Sequence, residues 1–109
     1  MAEVSWLLAA LDDLDEIAAY IQRDSDKYAR IVVEKIRAAT RDLATFPLMG
    51  RVAPELALDE VRERIVYSYR VFYHVRGDRV TILAVLHGAR QITDILIARS
   101  PPPAPPTPP

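Results

Sequence analysis

Gly77-Asp78 is a two-residue hairpin signal set between two alternating segments, and it limits what this chain can become more than any other feature. Glycine reaches positive φ without strain, and so short a loop fixes how the flanking strands pair. Residues 69–75 and 80–87 are the predicted arms. The register places Arg76 opposite Arg79, His74 opposite Thr81, Phe72 opposite Leu83, Arg70 opposite Val85 and Ser68 opposite His87. The other face carries Tyr69, Val71, Tyr73, Val75, Val80, Ile82, Ala84 and Leu86. That face is wholly apolar or aromatic, so it must be buried.

Upstream the period is helical. Residues 7–22 present Leu7, Ala10, Leu11, Leu14, Ile17, Ala18 and Ile21 as one stripe. Asp12, Asp13, Asp15 and Glu16 fall mostly off it and are expected to form a solvated acidic face, not a metal cluster. Asp24-Ser25-Asp26 breaks the pattern and offers caps for a second helix with Ala29, Val32, Val33, Ile36, Thr40 and Leu43 as its stripe. Pro47 is expected to stop that helix just after Phe46. Helices joined by so short a link pack as an antiparallel hairpin, the one large apolar surface available to cover the sheet.

Residues 2–6 alternate as a short strand, and residues 62–66 form a third member of the C-terminal meander after a loop over 48–60 with one helical turn at 54–58. The expected fold class is therefore α+β. An N-terminal strand and an antiparallel helical hairpin pack on one face of a small antiparallel sheet, in the order β-α-α-β-β-β. Residues 1–99 are expected to form one domain. Seven of the nine prolines lie in 101–109, so residues 100–109 are expected to be a flexible polyproline-type tail, without an Arg or Lys to orient it as an SH3-like ligand.

Composition excludes much. With no cysteine there is no disulfide scaffold, thiol nucleophile or Cys-based zinc site. No apolar run approaches the about 20 residues that span a bilayer. The N-terminus lacks the pattern of a signal peptide, so a cytoplasmic protein without membrane contact is expected. There is no Gly-rich phosphate loop, no G-x-S-x-G and no H-E-x-x-H, and no cofactor or metal is expected. Charge is uneven. Residues 1–60 hold seven Lys/Arg against twelve Asp/Glu, net −5, whereas residues 61–92 hold six Arg against two acids, net +4. Such asymmetry points to partners.

The mixed face of the hairpin is where a partner is expected. It presents Arg70, His74, Arg76, Arg79 and His87 around an apolar strip of Phe72, Leu83 and Val85, with Arg90 just beyond. In the predicted register Arg70 and His87 are diagonal neighbours on that face, roughly 7–8 Å apart at the backbone. Tyr69, Tyr73 and Trp6 are expected in the core, and Tyr67 near a turn.

Leu14-x-x-Ile17-x-x-Tyr20-Ile21, Phe46-Pro47-x-x-Gly50-Arg51, Arg62-Glu63, Tyr69-Arg70-x-x-Tyr73 and His87-Gly88-x-Arg90 follow one another in this order. The set resembles the RelE/ParE superfamily of toxins from bacterial type II toxin–antitoxin modules, over roughly residues 4–92. The resemblance implies a RelE/ParE-like fold with a working face opposite the helices. It also implies a cognate antitoxin whose acidic, amphipathic C-terminal segment wraps the toxin, with operator DNA reached only through that antitoxin. One departure is Leu7-Leu8, where the family often carries a Ser-Pro cap pair, so Ser5 is expected to cap an earlier helix start. Another is the proline tail.

The superfamily divides by target. RelE-like members cut mRNA on the ribosome, and ParE-like members inhibit DNA gyrase. If this chain were a nuclease, the resemblance would make Arg70 the phosphate cation, His87 the general acid and Glu55 or Glu63 the base. The alternative is that Arg70 pairs with a loop carboxylate and His87 ends a strand. Arg51 and Arg62 are expected to order the loop through a carboxylate such as Glu55 or Asp59. Three features favour the gyrase branch. The only lysines are Lys27 and Lys35, Gly88 stands where several such nucleases carry a catalytic Tyr, and the pI is about 6.1. A non-toxic module that binds antitoxin in operator repression is the third reading.

Overall fold

The computed structural model describes residues 1–54, 60–88 and 93–99. The elements are β1 (Glu3–Trp6), α1 (Leu8–Gln22), α2 (Asp26–Asp42), β2 (Arg51–Val52), β3 (Val61–Val66), β4 (Tyr69–Arg76), β5 (Arg79–His87) and α3 (Thr93–Arg99). The expected turn at 54–58 and the tail at 100–109 lie outside the described residues.

Ser25 Oγ accepts from the Tyr28 N–H at 3.0 Å and starts α2 as expected. Asp26 in the first turn and Arg41 in the last complement the helix dipole. The helix ends at Asp42, four residues before Phe46. Ala44, Thr45 and Phe46 donate instead to Arg41 and Asp42 carbonyls in turns that tighten the chain ahead of Pro47. α1 has no side-chain cap. Leu7 occupies the cap position, and Ser5 remains inside β1 rather than capping an earlier start. The Leu7 N–H donates to Ile82 O at 3.0 Å, so the sheet itself anchors the helix start.

The strands form one sheet in the order β1-β5-β4-β3-β2. β1 runs parallel to β5 and the other pairs are antiparallel, so the sheet is mixed rather than wholly antiparallel. A parallel pair requires a long connection, and here the helical hairpin and the meander supply it. α1 and α2 cover one face. Leu14, Ile21, Val32 and Ile36 bury Val71, Tyr73, Val80, Ile82 and Val85, with Trp6 and Tyr69 packed against this core. The opposite face has a core of its own. Phe72, Leu83, Ala84 and Leu86 are covered by Ala53, Val61 and Leu96, the last from α3. No periodic signal in the sequence announced α3 or β2.

Gly77 has φ +59° and makes the tight turn, with Arg76 opposite Arg79 as expected. The predicted register holds only to Tyr73 opposite Ile82. Phe72 then faces Ala84, so Leu83 is an extra residue in β5, a β-bulge. Every later residue of β5 changes face. Val71 faces Val85 and Tyr69 faces His87, on the helix side, while Arg70 faces Leu86 on the other. Ala84 and Leu86, expected under the helices, belong to the second core, and Val85 moves to the first.

The bulge falls where β1 has ended, so the outer edge of β5 beyond Ile82 lacks a strand partner. Asp13 of α1 fills the gap. Its Oδ2 accepts from the Val85 N–H at 3.0 Å and from Arg99 Nη1 at 2.6 Å, and Arg99 also reaches Leu83 O at 3.3 Å. Asp13 is 8% exposed, which corrects the expected solvated position. The carboxylate was placed by strand geometry, not by helical period. Asp13→Ala strands a buried amide and a half-buried guanidinium and is expected to cost about 2–4 kcal/mol. Urea denaturation of the two proteins at neutral pH measures that difference.

Candidate functional site

Alternation in β3 sends Arg62, Arg64 and Val66 to the helix side and Val61, Glu63 and Ile65 to the other. The arginines on the helix side are structural. Arg62 Nη1 donates to Gly50 O at 2.8 Å and Leu48 O at 3.3 Å, and Arg64 Nη1 donates to Ala39 O at 2.8 Å and Asp42 Oδ2 at 3.1 Å. Arg62 thus orders the loop through carbonyls, not through the carboxylate expected of it. The Gly50 N–H donates to the Tyr73 hydroxyl at 2.9 Å. Burial pushes the Tyr73 phenol up, partly offset by that amide and by Arg62 and Arg64. A Cβ at Gly50 would meet Glu63 O at 2.4 Å, so only glycine admits this close approach of loop and strand.

On the other face Glu63 is fully buried and carries two guanidiniums. Arg51 Nε binds Oε1, and Arg70 Nε donates to Oε2 at 2.6 Å. The Arg70 guanidinium also lies 4.7 Å from the Phe72 ring centroid, a cation–π contact. Arg51 is exposed and Arg70 is largely covered, and both line a cleft of about 660 Å³ together with Pro54, Ile65, Tyr67, His87 and Gly88. Tyr67 has φ +55° at the β3–β4 turn, and it and Ile65 expose apolar surface beside the arginines.

The sequence-predicted surface is thus divided. Arg70 and Phe72 share a face, but Phe72 and Leu83 are buried beneath Leu96 and Ala53, so the strip is not open. His74 is 5% exposed and its Nε2 donates to Glu60 Oε2 at 2.9 Å, while Arg76 stands 3.5 Å from the same carboxylate. Val85 is under the helices. His87 emerges on the helix side, in edge contact with Tyr69 at 5.9 Å between ring centroids. Arg70 and His87 therefore leave opposite faces, contrary to the predicted pairing, because of the single extra residue at Leu83. Both border the cleft only at the end of the sheet. Glu55 and Arg90 lie outside the described residues. The Arg51–Glu63–Arg70 clamp was not foreseen as a unit. The alternation of Glu63 and Arg70 on paired strands was the signal that contained it.

A helical hairpin over one face of a small mixed sheet is a fold this chain shares with solved bacterial toxin structures. It recurs in the chromosomal ParDE toxin–antitoxin system from P. aeruginosa, with a TM-score of 0.66, 22% identity, 80% of this chain and 96% of that chain covered. A YoeB/ParE toxin from Agrobacterium tumefaciens aligns with a TM-score of 0.54 and 23% identity over 80% of this chain and 98% of that chain. The family model for the ParE toxin of the type II toxin–antitoxin system parDE matches residues 4–92, and the chain belongs to that family. It is 36% identical to the toxin candidate Y4kP of Sinorhizobium fredii over 85% of this chain and 95% of that protein. It is 35% identical to Toxin RelE2 of Caulobacter vibrioides over 83% of this chain and 99% of that one. Among the described residues, no helix is long and apolar enough to cross a membrane.

Two measurements test the electrostatics. Glu63→Gln removes the charge that holds two arginines, and its stability loss in urea denaturation is expected to be on the order of 3 kcal/mol. For Glu60, the hydrogen bond from His74 and then the Arg76 charge hold the carboxyl below its ordinary 4.5. Its stabilisation is therefore complete above that value and is lost as pH falls through the lowered one. Wild type is expected to exceed Glu60→Gln in urea midpoint well above pH 4.5, with the gap narrowing as pH falls below that value.

Proposed function

We propose that this toxin arrests growth by acting on DNA gyrase in the cytoplasm and is neutralised by direct binding of a cognate antitoxin. The commitment of Glu63 to two guanidiniums carries this reading. Cleavage of RNA through its 2′-hydroxyl needs a base, an acid and a cation converging on one phosphate. Here Glu63, the base candidate within the described residues, is committed to two guanidiniums, and the acid and cation candidates start from opposite faces of the sheet although both border one cleft. The absence of a lysine cluster and the pI of about 6.1 agree with a target other than the ribosome.

The Arg51–Arg70 cleft, with Ile65 and Tyr67 beside it, suits an acidic, amphipathic antitoxin segment. Operator DNA would then be reached only through the antitoxin. The test is a gyrase supercoiling assay run beside a ribosome-programmed mRNA cleavage assay with purified protein. Supercoiling is expected to stop, mRNA to stay intact, and added antitoxin to restore supercoiling. Cells expressing the protein without antitoxin are expected to filament with DNA damage. Cut mRNA with normal supercoiling would select the ribosomal nuclease, and healthy growth at high expression would refute toxicity.

A further inference from the structure

On the helix side of the sheet, away from the arginine clamp, α1 and the ends of β4 and β5 enclose a groove of about 490 Å³. Asp13, Glu16, Ile17 and Tyr20 line it from α1, at the i, i+3, i+4, i+7 spacing of one helix face. Tyr69, Val85, Leu86 and His87 line it from the strands. α1 holds four carboxylates and no Lys or Arg, so its field is wholly negative. Asp13 is already neutralised by Arg99 at 2.6 Å. Glu16, one turn further on, is exposed and has no ion pair or hydrogen bond among the described residues.

The aromatic walls have the same preference for positive charge. Tyr20 is 69% exposed and already carries the Arg23 guanidinium 5.9 Å from its ring centroid. Tyr69 meets His87 edge-on, and burial raises its phenol, with the Tyr28 and Tyr20 phenols adding to the shift. Arg99 is thus held by Asp13 and Arg23 by Tyr20, which leaves Glu16 and the Tyr69 ring for a cation from outside.

We propose that this groove is a binding site for an arginine or lysine side chain of a partner polypeptide. The cationic head sits against Glu16 and the Tyr69 ring. Its alkyl stem and flanking apolar residues pack on Ile17 and Tyr20. The exposed Tyr20 and the partly exposed Ile17 and Tyr69 favour a polypeptide source, because a lone cation would leave them uncovered. This assignment does not depend on which macromolecule the toxin inhibits.

The experiment is an NMR titration of the full chain, following Tyr20, Tyr69 and His87 ring signals. The probes are acetyl-Leu-Arg-Leu-amide, the same peptide with citrulline for arginine, and spermidine. The arginine peptide is expected to give saturable shifts, with the citrulline peptide weaker by about tenfold. Glu16→Gln, an exposed change that leaves packing intact, is expected to reduce the arginine peptide's affinity by a similar factor. Equal binding of the arginine and citrulline peptides would overturn the proposal, showing only an apolar groove. So would shifts caused by spermidine but not by the peptide, or the absence of any saturable shift.

Discussion

One inserted residue in β5 decides which side of the sheet carries what. Leu83 has no opposite number on β4, so the strand's last four residues are turned over relative to its first four. The turn releases the Val85 N–H and the Leu83 carbonyl at an edge that β1 no longer covers. Both groups are satisfied from outside the sheet, by Asp13 of α1 and Arg99 of α3. The bulge thus binds the first and last helices to the sheet through one ion pair, and it separates Arg70 from His87. Fold closure and the disposition of the candidate site share a single backbone irregularity.

The contrast between an acidic first half and a basic second half has a largely internal meaning. Arg64 returns to Ala39 and Asp42, Arg62 to Leu48 and Gly50, and Arg99 to Asp13. These long-range contacts fasten the meander and α3 to the helical hairpin and its loop. Desolvated guanidiniums with several oxygen partners suit this work, because five N–H donors in a planar fork can satisfy carbonyls and carboxylates together. Arg51 remains exposed on one face and Glu16 on the other, so groups of opposite sign stand on opposite sides of one sheet.

Much of the fold was legible because its signals are local. The helical stripes, the Ser25 cap and the Gly77 turn each rest on neighbouring residues, and the structure reproduces them within a few positions. The meander register was legible only as far as Tyr73, because a bulge has no local signature in a run such as Ile82-Leu83-Ala84-Val85-Leu86, where every residue is apolar and parity cannot be read. Asp13 was misplaced for a related reason. Helical period put it at the margin of the apolar stripe, and only the freed amide of Val85 draws it inside. α3 was missed because seven residues with Thr, Asp and Arg among them make a weak periodic signal, and it meets the sheet through only a few side chains, chiefly Leu96 and Arg99. The site suffered most, since a face assignment built on strict alternation carries a one-residue error into every later position.

The buried clamp also limits what Glu63 is free to do. The Glu63 carboxylate is enclosed by Arg51 and Arg70 in a covered site, and loss of its charge would leave both guanidiniums without a counter-charge there. Freeing Glu63 would require moving Arg70 off the Phe72 ring and Arg51 off the sheet edge, against the packing of the second core. Arg70 is thereby held as a fixed positive feature, oriented by a salt bridge and a ring face. Such a fixed feature suits the recognition of an acidic surface, the role proposed for the cleft.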